Sequence, residues 1–217
     1  MKKNGFTLAE VLITLAIIGV VATLTLPSLM SNTQEQQSIT AFKKAMNTLN
    51  EVAQMNSVVD GFDYSGVTTT AAHSAKAIYD ANGVLTQSIW AMMKSKAQID
   101  EAASIKGGIP GDCKTYKYQV FFRDGTVLCY TTPTNAGTSQ AYIPAAIDTN
   151  GLKGPNKVSE CGDANCVTKN TKKIYDQYRI TLYGSNAVPG LIKIDANGNV
   201  TDDTSVQGNA ARYAMRK

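Results

Sequence analysis

The chain has 217 residues, a formal net charge of +4, and hydrophobic and charged shares of 43% and 18%. That is enough apolar material for one ordinary domain with an appendage, and it excludes a disordered chain. The basic residues are spread out, with no basic stripe interleaved with aromatics, so nucleic-acid binding has no support at this level.

The first element follows the residues MKKNG. Lys2 and Lys3 form a short positive leader, and no charged side chain occurs from Val11 to Leu26. As a helix rising about 1.5 Å per residue, Phe6 to Met30 covers about 37 Å, enough to cross a hydrocarbon core of about 30 Å. The lysine pair predicts that this end stays cytoplasmic and that the remainder lies outside. A secretory signal peptide fits poorly, because no A-x-A site follows the run and Glu10 sits near its start. No cysteine lies near the end of the run, which excludes a lipoprotein signal. A plain anchor leaves Glu10 unexplained, since a carboxylate in a membrane helix costs about 3 kcal/mol on insertion scales. A cut after Gly5 would supply its partner. Phe6 would then carry a free α-amine, and Glu10 of one copy could neutralise the Phe6 amine of a neighbour.

The run from Gly5 to Pro27, GFTLAEVLITLAIIGVVATLTLP, resembles the prepilin motif of type IV pilins and type II secretion pseudopilins. Gly5 stands at the residue before the cut, Phe6 at the new N-terminus, Glu10 at the family's glutamate and Pro27 at its helix-kinking proline. The resemblance implies that a membrane prepilin peptidase cleaves after Gly5 and N-methylates Phe6. It implies a single-pass protein of the bacterial inner membrane, with its C-terminal domain periplasmic or extracellular. Such a chain leaves lipid at a membrane assembly platform and joins copies of itself and other pilins in a helical filament. The resemblance covers about the first 30 residues and is silent on the rest.

Pro27 lacks an N–H and its ring crowds the preceding turn, so it bends or loosens a helix. Helical periodicity then resumes. Ile39, Phe42, Met46, Leu49 and Ala53 are spaced 3, 4, 3 and 4 apart, with Lys43, Lys44, Asn47, Asn50 and Glu51 between them. The pattern predicts one long kinked helix from Phe6 to about Met55, apolar all round at first and amphipathic later. The expected divisions are a leader (1–5), a transmembrane and filament-core helix (6–30), its amphipathic half (31–56) and a globular domain (57–217).

In that domain GFDYSG, Gly61 to Gly66, reads as a turn. Ala71 to Asn82 and Leu85 to Gln98 read as helices, with Ile89, Trp90, Met92 and Met93 as core. Gly107-Gly108 and Pro110-Gly111 break the chain. Two strands should meet at the Asp124-Gly125 turn. Further strands are expected at Ala141–Ile147, Tyr178–Tyr183, Leu191–Asp195 and, weakly, Val200. The tail from Gly208 to Lys217 reads as mobile. The fold class is α+β: a long kinked helix packed on a small antiparallel sheet, pilin-like.

Cys113, Cys129, Cys161 and Cys166 allow three pairings. Free core thiols are one alternative. The favoured arrangement is Cys113–Cys129 with Cys161–Cys166, the second closing the turn-prone loop CGDANC. A four-cysteine zinc site lacks C-x₂-C spacing. DTNGLKGPN, from Asp148 to Asn156, and DANGN, from Asp195 to Asn199, read as tight turns. The alternative for the first is calcium on Asp148 and Asn150, because some pseudopilins carry calcium in their C-terminal region. It lacks the further acidic ligands of a calcium loop, and Lys153 occupies the glycine position. No other cofactor is expected. His73 is the sole histidine and is not accompanied by G-x-S-x-G. No P-loop or dinucleotide fingerprint is present. The expected function is therefore non-enzymatic: a structural subunit of a type IV pilus or type II secretion pseudopilus. The alternative is a minor pilin that binds a surface, DNA or a secreted substrate at a filament tip.

Overall fold

The computed structural model describes residues 5–68, 78–138, 140–167, 172–195, 197 and 199–217. Helix α1 spans Leu8–Val59, and its helical backbone does not end at Pro27. The chain divides into two compact units, Met1–Gln37 and Ser38–Lys217. In the first unit every large apolar side chain from Phe6 to Met30 is exposed, Phe6 by 90% and Ile18 by 63%. In the second, Ile39, Phe42, Met46, Leu49 and Ala53 are all buried, joined by Ala45 and Val52. That is the stripe the spacing predicts.

The Ser38–Lys217 unit holds a six-stranded antiparallel sheet. Its order is β1 (Ile99–Asp100), β2 (Tyr118–Phe122), β3 (Val127–Tyr130), β4 (Tyr142–Asp148), β7 (Gln177–Tyr183) and β8 (Asn186–Pro189). β5 (Glu160–Cys161) pairs with β6 (Lys172–Lys173), and β9 (Ile192–Ile194) pairs with β10 (Val200–Asp202). The hairpin between β2 and β3 closes at Asp124-Gly125, where Gly125 N donates to Phe122 O at 3.1 Å. Pro144 sits in the central strand β4, a position that normally excludes proline. Its carbonyl accepts from Thr131 N at 3.3 Å, but proline has no N–H to return. The β3–β4 register accordingly ends one pair earlier, at Tyr130 and Ala145.

One face of the sheet packs into a single core with the α1 stripe. Val120, Leu128, Ile143, Ile147, Tyr178, Ile180 and Leu182 supply the sheet side. Phe42 and Tyr178 stack with ring centroids 4.4 Å apart. Helix α2 (Ile89–Lys96) adds the fully buried Trp90, Met92 and Met93. Both sheet edges are blunted, as exposed edges invite unwanted pairing. At β8, Asn50 Oδ1 on α1 accepts the Ala187 amide at 2.6 Å. At the other side the edge strand β1 has only two residues, and the Ser104 hydroxyl on helix α3 (Glu101–Lys106) accepts the Phe121 amide of β2 at 2.9 Å.

Several expectations need correction. The segment expected to be helical from Leu85 to Gln98 is helical only at Ile89–Lys96, because Ser88 caps it by accepting from Ala91 N at 3.1 Å. Tyr79 and Leu85 instead form an isolated antiparallel bridge, so residues 78–82 are not a helix. Residues 71–77 of that expected helix, with His73, lie outside the described residues. The C-terminus is not a loose tail. It forms α4 (Val206–Arg216), capped by Ser205 and anchored by buried Ala210, Ala211 and Ala214. Its buried residues are Gly208 and three alanines, which read weakly as hydrophobic pattern.

Candidate functional site

Thr7 and Glu10 make a reciprocal cap at the start of α1. The Thr7 amide donates to Glu10 Oε2 at 2.8 Å, and the Thr7 hydroxyl donates to the same oxygen at 2.9 Å. The Glu10 amide donates back to Thr7 Oγ1 at 3.3 Å. This is a capping box, with Thr7 at the N-cap and Glu10 at the third helical position. Its sequence signal, Thr-Leu-Ala-Glu, lies inside the apolar run, where the same carboxylate also reads as a charge partner. The cap gives Glu10 a local partner before any second chain is present. It also satisfies two backbone N–H groups, of Thr7 and Glu10, that hydrocarbon would leave bare. Gly5 and Phe6 just ahead of the cap are exposed. The exposed apolar side chains from Phe6 to Met30 carry one carboxylate among them, near the start.

The prokaryotic N-terminal methylation motif matches residues 1–26. The chain carries the type IV pilin and pseudopilin signature. That signature points to a structural protein, to processing by a prepilin peptidase and to assembly with other pilins. With the single described helix long and apolar enough to cross a membrane, it marks the chain as membrane-anchored. No curated protein and no solved structure matches the chain.

The cysteines lie in two bonds, Cys113–Cys129 and Cys161–Cys166. The first ties the 3-10 turn Gly111–Thr115 to β3, within a small cluster that includes Ile109, Val127 and Ala146. The second lies against α4, beside Ala210 and Tyr213. Arg216 reaches across from α4 to donate to the Ala164 carbonyl inside that loop.

Asp148 is fully buried at the end of β4. Its Oδ1 accepts the amides of Asn150 at 3.0 Å and Gly151 at 2.7 Å, and its Oδ2 accepts Gln177 Nε2 at 2.8 Å. Gln177 extends the network. Its Nε2 also donates to Pro110 O, and its Oε1 accepts the Asp112 amide, each at 2.8 Å. Asp176 beside it accepts the amides of Asn156 at 2.7 Å and Lys157 at 2.8 Å. These side chains organise the loops around β4 and β7. Asn150 turns its amide nitrogen to Gly154 O at 3.4 Å, and its Oδ1 is buried with no hydrogen-bond partner. At the second turn, Asp195 Oδ1 accepts the amides of Asn197 and Asn199, both at 2.9 Å.

Burial pushes Asp148 up to about 6, helped by the charge of Asp176 and opposed by its three donors. A carboxyl whose folded pKa exceeds its free value near 3.8 takes up a proton on folding. Its contribution to stability is therefore full below about pH 3.8 and lost as pH rises through about 6. Asp148→Asn should flatten the pH dependence of unfolding between those limits, relative to the parent chain. Denaturant titrations at stepped pH will show this, and parallel stability profiles would contradict it.

Proposed function

We propose that the chain is a structural subunit of a type IV pilus or a type II secretion pseudopilus. It is cut after Gly5, methylated at Phe6 and polymerised through its N-terminal helix. The observation that carries this reading is the run of exposed large apolar side chains from Phe6 to Met30, bearing Glu10 near its start. Such a surface needs lipid or neighbouring helices to cover it. The inner membrane holds it first, with the N-terminus cytoplasmic and the Ser38–Lys217 unit on the far side. An assembly platform then moves it into a filament, where helices of copies or other pilins replace lipid. Removing Lys2 and Lys3 takes the formal charge from +4 to +2. Mass spectrometry of material from the native host is expected to find an N-methylated Phe6 at the N-terminus. Retention of residues 1–5 there would sink the reading.

We assign the chain no catalytic role and no cofactor. Calcium takes about six to eight oxygen ligands. The Asp148 carboxylate is already filled by three donors, which leaves Asn150 Oδ1 as the unpartnered oxygen. Among the described residues no three His, Cys, Asp or Glu side chains gather as a metal site. Calcium and EGTA are expected to give the full chain one melting temperature.

A minor, tip-located subunit is the second reading. It is favoured by the polar cavities on the Ser38–Lys217 unit, which filament assembly through α1 does not explain.

A further inference from the structure

The tripeptide Asp-Ala-Asn occurs three times, starting at Asp80, Asp163 and Asp195. In each copy the aspartate closes a turn in the same way. Asp80 Oδ1 accepts the amides of Asn82 at 2.8 Å and Val84 at 2.9 Å. Asp163 Oδ1 accepts those of Asn165 at 2.9 Å and Val167 at 3.2 Å. Asp195 Oδ1 takes those of Asn197 and Asn199. The copies differ in the residue that follows, which is Gly83, Cys166 or Gly198. Outside the repeat, Asn4 and Asn150 also precede glycine, Asn4 lying outside the described residues.

That following residue decides a chemical fate. The backbone nitrogen after an asparagine can attack the side-chain amide carbon, and glycine brings no Cβ into the approach. Cys166 does carry a Cβ, held by its bond to Cys161. The Asn150-Gly151 pair lacks that barrier but is locked. The Gly151 amide donates to the buried Asp148 carboxylate at 2.7 Å, and Asn150 is tied to Gly154 O with its own Oδ1 buried. Asn82 and Gly83 are both exposed. Among the described residues nothing bonds the Asn82 side chain. Nothing lies within 4 Å of the place that a Gly83 Cβ would occupy. The Gly83 amide donates to Asp80 O at 3.0 Å, beside one isolated bridge between Tyr79 and Leu85. An exposed bond at such a turn opens at little cost in free energy.

We propose that Asn82 is a self-modification site, converted from amide to carboxylate with water as the co-reactant. The Gly83 nitrogen gives up its proton and bonds to Asn82 Cγ, and ammonia leaves. The product is a cyclic imide. Water then adds to either carbonyl carbon of the ring and breaks that carbon's bond to the Gly83 nitrogen. Opening at Cγ leaves aspartate. Opening at the backbone carbon leaves isoaspartate, whose main chain runs through the side chain and is one atom longer. Either product adds a carboxylate to a loop that also exposes Tyr79 and Val84, and takes the formal charge from +4 to +3. Isoaspartate also lengthens a turn that Asp80 N closes on Val84 O at 2.8 Å, so the closure loses its register. The site belongs to the Ser38–Lys217 unit and does not depend on filament assembly.

The test holds the full chain in neutral detergent micelles at mildly alkaline pH and follows each Asn-Gly peptide by mass spectrometry, with chromatography that separates isoaspartate. Asn82 is expected to convert at least about tenfold faster than Asn150, the difference in opening between an exposed turn and a buried one. It should also outpace Asn197, whose turn is closed by the three pairs of β9 and β10 and by Asn199 Nδ2 on Asp195 Oδ2 at 2.9 Å. In denaturant the three rates should converge, because the structure that separates them is gone. Asp80→Ala removes the acceptor that closes the turn and should speed Asn82 while leaving Asn150 unchanged. Asn82→Gln sets the amide carbon one atom further from the Gly83 nitrogen and should stop conversion there without changing the melting temperature. An Asn82 that stays unconverted overturns the proposal, as does a rate at Asn82 in the folded chain that fails to exceed those at Asn150 and Asn197. Asp80→Ala leaving the rate unmoved would refute the turn as its brake.

Discussion

Glu10→Gln is expected to leave the N-terminal cap of α1 in place and still stop assembly. Glutamine serves at the third position of a capping box, because its side-chain oxygen can accept the Thr7 amide as Glu10 does. It cannot neutralise the ammonium that cleavage would create at Phe6. An unpaired charge in a water-poor helix bundle costs about 3–5 kcal/mol, whereas a lost cap costs about 1 kcal/mol. The two roles of Glu10 therefore separate by magnitude. Sheared-filament yield should fall at least about tenfold in Glu10→Gln and in Glu10→Ala, by the usual conversion of free energy to equilibrium. Thr7→Ala, which removes the hydroxyl half of the cap, should cost no more than about fivefold. Membrane-bound subunit, measured by immunoblot, should be equal in all three, since none shortens the apolar run. Normal yield from Glu10→Gln with loss in Glu10→Ala would show that capping, not charge, is what assembly requires.

Much of the fold was legible because its pattern is local. The spacing of Ile39, Phe42, Met46, Leu49 and Ala53 declares one buried helical face, and all five are buried. The Asp124-Gly125 turn and the β-branched and aromatic runs beside it place β2 and β3. Elements defined by tertiary partners were not legible. Helix α4 buries Ala210 against the Cys161–Cys166 loop and Ala211 and Ala214 in the main core, so little hydrophobic contrast marks it. Strand β8 has only four residues and depends on Asn50 from a distant helix to satisfy its edge. The candidate sites divide in the same way. Gly5, Phe6 and Glu10 form one contiguous motif and could be read directly. The Asp148–Gln177 network joins residues far apart in sequence, so nothing in local composition announces it.

Gly111→Ala should be among the most damaging single changes in the Ser38–Lys217 unit. Gly111 has φ +76°, a conformation that costs an L-residue about 1–2 kcal/mol by itself. A Cβ there would also run into the Asn156 carbonyl oxygen and lie 2.6 Å from Gln177 Oε1. The first of these neighbours is backbone and cannot rotate away. Retreat of the 3-10 turn would break the Asp112 amide bond to Gln177 Oε1 and strain the Pro110 carbonyl bond to its Nε2. Gln177 is fully buried, so each lost partner costs about 1–3 kcal/mol. The total comes to at least about 3 kcal/mol, a large part of the roughly 5–15 kcal/mol that holds a typical domain. Gly61→Ala isolates the backbone contribution. Gly61 has φ +77° but nothing within 4 Å of its Cβ position. It should lose only about 1–2 kcal/mol. Denaturant unfolding of the two variants should therefore differ by at least about 1–3 kcal/mol. Equal midpoints would mean that the turn at Gly111 yields without disturbing Gln177. The buried network would then not be what fixes the loops around β4 and β7.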